Sequence, residues 1–353
     1  HDRENTRHQH WRLSFGWRAE DMSIIIEYKD PLNLSEELQK LGQSTRITQF
    51  ENGGGTYKIS PLQYKTVSVA QIESTKTLLY EGWGNGETID FNWITPLGRK
   101  VEGLGRCDGY KRTPNSLAGF ATSSPQPRNS WGRYTNNCTS TACMVRKSDF
   151  IDYLHECKAY NALERIDGDI GMECEPKHLA QLKKLVERNI RRQEEGIDSK
   201  YFEILTACLE QPITVSDSIQ SPKNVDLLRE IVKLAHDSDV MTKPLTLAEV
   251  CRQIHTSQAS LYRICQESFG MGIIEMMTQI RLEESRRVLL NSALRYELKL
   301  RSIREIAIHF GFKHQGRYAR RYATAYGELP SQTIERARYY LIGNSQIRAA
   351  SIR

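Results

Sequence analysis

Much of what would mark an enzyme, a membrane protein or a secreted scaffold is missing from this sequence. Across its 353 residues no run approaches the roughly 18 apolar residues that a membrane-crossing helix needs. No basic, apolar and small-residue succession of the secretory kind opens it. A soluble, cytoplasmic protein without membrane contact is expected. The opening segment mixes His, Arg and Trp without period and lacks an initiator Met, whereas Met22 precedes the strand-like Ser23–Tyr28. Met22 is therefore read as the natural start and residues 1–21 as an unstructured upstream extension.

Eight cysteines are present, at 107, 138, 143, 157, 174, 208, 251 and 265, yet none forms a CxxC pair. Cys138 and Cys143 are close in sequence but lack two further ligands at zinc spacing, so reduced, buried thiols are expected and no metal. No nucleophile, base and orienting group stand at plausible spacing, and neither catalysis nor a cofactor is predicted. Asn52-Gly-Gly-Gly55 has no following Lys-Ser/Thr and does not lead into a helix, which favours a hairpin turn over a phosphate loop. Asp167, Asp169, Glu173 and Glu175, with Cys174 and His178, precede a helical pattern, where acids suit the dipole better than a metal.

What is present is concentrated at the carboxyl end. The net charge of +6 is uneven: residues 241–353 hold 18 Lys and Arg against 9 acids, and the remainder is acidic by 3. Leu247–Ile254, a break at His255–Ser257 and Gln258–Phe269 read as helix, turn, helix, with Ser257 a natural N-cap. Ile303–Phe310, Gly311–Phe312 and the stretch from Lys313 repeat that grammar, with Gly311 where a left-handed residue belongs. Between them Ile273–Leu290 carries a continuous helical stripe. Leu261, Ile264, Ile306, Ala307, Phe312, Tyr318 and Tyr322 are the expected core. Arg281, Arg286 and Arg287 are expected at the surface, on phosphates or in salt bridges.

Arg281-Leu-Glu-Glu-Ser-Arg-Arg-Val-Leu-Leu290, Ile303-x-x-Ile306-Ala307-x-x-x-Gly311-Phe312, Tyr318-x-x-x-Tyr322 and Tyr326-Gly-Glu-Leu-Pro330-Ser331 together resemble the DNA-binding domain of AraC/XylS bacterial transcription regulators, over about residues 241–338. Lys313, Gly316 and Leu329 depart from the usual pattern. The resemblance implies that Ala259, Tyr262 and Arg263 in the first unit and Gln315, Arg317 and Arg320 in the second face base edges in double-stranded DNA. Arg320 and Arg321 suit phosphate equally well. It further implies a nucleoid-associated activator that contacts RNA polymerase, answers a small-molecule effector and pairs as a homodimer.

Ahead of the reader, Thr45–Phe50, Gly55–Ser60, Tyr64–Ala70, Thr77–Tyr80, Ile89–Ile94 and Ala118–Thr122 are short β-forming segments. Ser148–His155, Pro176–Arg192 and Ser199–Leu209 follow as helices. Trp83, Trp93, Trp131, Phe91 and Tyr80 either fill a β core or line a pocket. The expected fold is thus α+β. A β-rich sensor-like domain with trailing helices (22–210) and a polar, separating linker (211–224) precede an all-α domain with two helix-turn-helix units joined by a linker helix (225–341), then a basic tail (342–353). Two other functions fit the same reader: an Ada-type repair protein using a zinc-bound cysteine, and a ligand-blind structural DNA binder.

Overall fold

The computed structural model describes residues 25–83, 86–98, 103–120, 129–168, 171–192, 194–211 and 225–338. The upstream segment, all but the first residue of the 211–224 linker, the basic tail, Asp169 and Thr122 lie outside them.

The amino-terminal half runs β1 (Ile26–Tyr28), α1 (Pro31–Lys40), β2 (Ser44–Gln49), β3 (Tyr57–Gln63), β4 (Val67–Ser74), β5 (Leu78–Trp83), β6 (Thr88–Pro96), β7 (Gly105–Cys107), β8 (Tyr110–Lys111), β9 (Ser116–Ala118), β10 (Asn129–Tyr134), β11 (Cys138–Arg146), α2 (Lys147–Glu156), α3 (Tyr160–Gly168), β12 (Gly171–Glu173), α4 (Pro176–Arg192) and α5 (Asp198–Leu209). The strands form two antiparallel sheets, ordered β1-β3-β4-β11-β6-β9-β12 and β2-β5-β10-β7-β8. Because β2 and β3 belong to different sheets, Asn52–Gly55 is an arch between sheets and not the expected hairpin turn. Glu173 also departs from expectation: it lies on β12 and accepts from the Thr113 hydroxyl at 2.7 Å.

Period-two alternation assigns each strand face to a layer. On β11, Cys143 and Val145 join the helices α2–α5, whereas Met144 turns the other way to meet Leu34 and Leu38 of α1, Ile47 and Leu78. On β5, Leu78 enters that inter-sheet core while Leu79 faces outward to the carboxyl half. Each such buried aliphatic contributes about 1.5–3 kcal/mol by leaving water. Trp93 and Phe91 fill the β core beneath the helices, so the core alternative holds for both.

The carboxyl half comprises α6 (Val225–Ala235), α7 (Ser238–Thr242), α8 (Leu247–Gln253), α9 (Gln258–Phe269), α10 (Ile273–Leu290), α11 (Ser292–Glu297), α12 (Ile303–His309) and α13 (Gln315–Tyr326), with residues 330–338 also helical. It does not stand apart from the sheets. Phe50, Leu79 and Trp131 enter the core of α6–α10, and the Trp131 and Phe269 rings lie 4.8 Å apart. Glu81 on β5 reaches His236 Nδ1 at 2.9 Å, both side chains being buried. The separation expected of the polar linker is overridden by this seam.

The seam also holds a buried charge network. Arg286 of α10, 3% exposed, pairs with Asp30, the residue preceding α1, and with Glu328 at 3.0 Å. Arg336 completes it through Asp30 and through Glu328 at 2.9 Å. The surface position expected of Arg286 is thus corrected: its guanidinium lies 4.2 Å from the Tyr326 ring centre. Removing Arg286 leaves Asp30 and Glu328 to share the single cation Arg336, an unbalanced charge in the seam, so Arg286→Ala should lower unfolding free energy by about 3–5 kcal/mol. Truncating Lys40, in an exposed pair with Glu37, should change it by at most about 1 kcal/mol. Urea denaturation of the full chain distinguishes the two.

Candidate nucleic-acid interface

Two capping boxes start the helix-turn-helix units. Thr246 and Glu249 satisfy each other's backbone amides ahead of α8, and Ser302 and Glu305 do the same ahead of α12. Ser257 caps α9 through Ser260 N at 3.2 Å, and Gly270 and Gly327 end α9 and α13 in the left-handed region. Each turn between paired helices contains one positive-φ residue, His255 (49°) in the first unit and Gly311 (74°) in the second. At Gly311 a Cβ would also come within 2.5 Å of Pro244 Cδ. Glycine is therefore required there twice over.

Three tyrosines one turn apart fasten α13 to the joining helix. The Tyr318 hydroxyl donates to Ser285 at 3.0 Å, Tyr322 lies 3.4 Å from Arg286, and Tyr326 donates to Glu283 at 3.0 Å. Their rings follow one another at 5.8 and 4.7 Å. The apolar residues expected on the joining helix and in the two unit cores are buried, Leu261, Ile264, Ile306, Ala307 and Phe312 among them. Arg281, expected at the surface, is 8% exposed; its Nε donates to Met277 O, its Nη1 reaches Phe310 O at the end of α12, and it stacks 5.1 Å from Phe312. Burial, and then the nearby Arg321, push its pKa down to about 10. It ties α12 to α10. Arg287 makes the kind of surface pairing expected, with Glu284 at 3.7 Å.

The seven residues predicted to contact DNA remain at the surface. Ala259, Tyr262 and Arg263 lie on the exposed face of α9, with Tyr262 64% exposed; Gln315, Arg317, Arg320 and Arg321 are exposed on α13. They form two sets on two helices. α10, packed against α9, α12 and α13, joins them over 18 residues, about 27 Å at 1.5 Å per residue.

Sequence reasoning missed how the β module touches the second unit. The last carbonyls of a helix lack internal partners. In α13, Thr324 O accepts from Gly53 N at 2.9 Å and Ala325 O from Gln49 Nε2 at 2.9 Å. A Cβ at Gly54 would stand 3.3 Å from Tyr326 O. The glycine run thus permits close approach to the helix end. A run of glycines leading into no helix was the available signal, but its target lies about 270 residues away.

A model of a helix-turn-helix domain matches residues 250–336. The XylDLEGF operon transcriptional activator of Pseudomonas putida is 27% identical over 184 residues, 51% of this chain and 52% of that protein. The probable thc operon regulatory protein of Rhodococcus erythropolis is 34% identical over 106 residues, covering 30% and 31%. Residues 250–336 form an AraC/XylS-type helix-turn-helix domain. This chain spans about half the length of the first of these relatives. An AraC-type transcriptional regulator from Chromobacterium violaceum aligns at 19% identity over 31% of this chain and 90% of its own, with a TM-score of 0.28. Among the described residues all eight cysteines are free, and no three His, Cys, Asp or Glu side chains gather as metal ligands. Within the AraC/XylS-type domain Cys265 is a buried thiol whose pKa burial pushes up to about 12. No helix among the described residues is long and apolar enough to cross a membrane.

Two glycines of the second unit should respond oppositely to alanine. Gly311→Ala meets both a left-handed backbone and Pro244, and should cost about 1–3 kcal/mol or more. At Gly316, near the start of α13, an added methyl would meet nothing within 4 Å, and its replacement should stabilise by up to about 1 kcal/mol. Thermal unfolding of the two variants checks the sign.

Proposed function

We propose that the chain is a sequence-specific DNA-binding transcription regulator, an activator that responds to a small-molecule effector. The observation that carries this reading is the pair of capped helix-turn-helix units with all seven predicted DNA-contacting residues exposed, set on one joining helix. α9 and α13 each enter a major groove; Arg263, Arg317 and Arg320 suit guanine edges, Gln315 adenine, and Ala259 a thymine methyl, while Arg321 neutralises phosphate. The charge excess of residues 241–353 supports the same placement. The name of the Pseudomonas putida relative, an operon transcriptional activator, supports the activator reading; contact with RNA polymerase, action on nucleoid DNA in the cytoplasm and pairing as a homodimer belong to the same proposal. The division into a sensor (22–210), a linker and a reader (225–341) belongs to this proposal, with the layered sheets supplying the effector response.

Genomic footprinting with the full chain identifies the operator, after which two outcomes follow. If about six phosphates are neutralised, affinity falls by roughly 10³-fold between 50 and 200 mM salt, and Arg317→Ala costs about 1–3 kcal/mol at one base pair. Inserting about 5 bp between half-sites places them on opposite faces and abolishes specific binding. Salt-independent binding, or undiminished binding to the lengthened site, contradicts the reading.

A further inference from the structure

A cavity of about 330 Å³ opens along the seam between α1 and β2 on one side and α10 on the other. It lies at the small end of the volumes that hold small molecules. Its walls are charged, and the charges do not cancel. Glu284 is engaged by Arg46 at 3.3 Å and by Arg287 at 3.7 Å, and Arg46 is shared with Glu81. Glu283, also on the cavity wall, is only 6% exposed, yet no cation lies within 4 Å of its carboxylate among the described residues. One of its oxygens accepts from the Tyr326 hydroxyl at 3.0 Å; the other has no hydrogen-bond partner there. Nearby Arg286 is taken by Asp30 and Glu328. Thr45, on the opposite wall, has a buried hydroxyl that likewise finds no partner among the described residues.

We propose that this cavity binds a small organic ammonium ion, its cationic head against Glu283 and its body between Thr45 and α1, and that this ligand is the effector of the regulator proposed above. The site rests on that reading for its role and on the cavity for its chemistry. A cation here replaces the ion pair that Glu283 lacks, and the ligand touches both halves at once. Binding therefore differs between arrangements in which the seam is closed and open, which is the condition for an effector to shift a population.

The groups facing Glu283 set the pH response: Arg286 and Glu284 on its own helix, Tyr326 on α13, Asp30 before α1 and Tyr57 on β3. Burial, partly offset by Arg286, raises its pKa to about 7. In the empty protein the carboxyl is protonated below that pH. Ammonium binding favours the carboxylate, so it expels a proton below about pH 7, and affinity increases as pH rises from about 5.5 to about 8.

The test is titration calorimetry and thermal unfolding of the full chain with n-butylammonium chloride, with sodium butyrate at matched ionic strength as the control. Expected are saturable binding of n-butylammonium only, proton release at about pH 6 seen as a dependence on buffer ionisation enthalpy, and a rise in Tm. Glu283→Gln keeps the volume and an acceptor for Tyr326, and should weaken binding at least tenfold while abolishing proton release. Ser35→Phe fills the cavity from α1 without removing a charge and should also abolish binding. Absence of binding, equal binding of butyrate, or unaltered binding by a folded Glu283→Gln or Ser35→Phe protein overturns the proposal. Footprinting separates the two readings: an operator without ammonium binding leaves the regulator and removes this site. Ammonium binding without any operator removes the effector role and with it the proposal as stated.

Discussion

Asp30 and Arg286 meet in the buried seam, and the pose of both halves follows from that contact. One partner is the residue just before α1 of the layered half; the other stands well inside the helix that joins the two helix-turn-helix units. Taking both charges out of water is costly, and the cost is offset only because Glu328, Arg336 and the faces of Tyr322 and Tyr326 complete the surroundings. The same tyrosines lock α13 onto α10. A displacement of the amino-terminal half therefore disturbs the groups that set the pose of the second unit.

Other contacts reinforce that coupling at both readers. The first unit rests on the outer face of the smaller sheet through Trp131, Leu79 and Phe50. The second has the carbonyls of its recognition helix capped by Gly53 and Gln49. The sheet module touches the back and the end of these helices and leaves their predicted reading faces open. For the regulator proposed above, this geometry favours control by repositioning of the units over steric blockage of their exposed side chains.

The parts visible in the sequence are those whose cause is local. Helical stripes, the N-cap Ser257 and the turn glycine Gly311 define α8–α10, α12 and α13 almost to the residue, because periodicity and capping act within a few positions. β11 is hidden there although it is the centre of the larger sheet: Cys-Thr-Ser-Thr-Ala-Cys carries little β-forming bulk, and its burial comes from neighbours far along the chain. α1, opened by Pro31 and buried through Leu34 and Leu38, is hidden for the same reason of tertiary context. Charge alone places Arg281 and Arg286 at the surface. Only partners such as Asp30, 256 residues away, make the burial of Arg286 tolerable. The acidic cavity wall is illegible because it is assembled across the seam.

If the two halves are energetically one unit joined through α10, Asp30 and Arg286 must be coupled. A double-mutant cycle on Asp30→Asn and Arg286→Gln, followed by urea unfolding of the full chain, measures that coupling. A value of about 1–3 kcal/mol is expected, since each single substitution leaves the two-acid, two-arginine network with an unbalanced charge that the double substitution removes. Strictly additive effects, with coupling below about 0.3 kcal/mol, would mean that the halves are held together by something other than this contact.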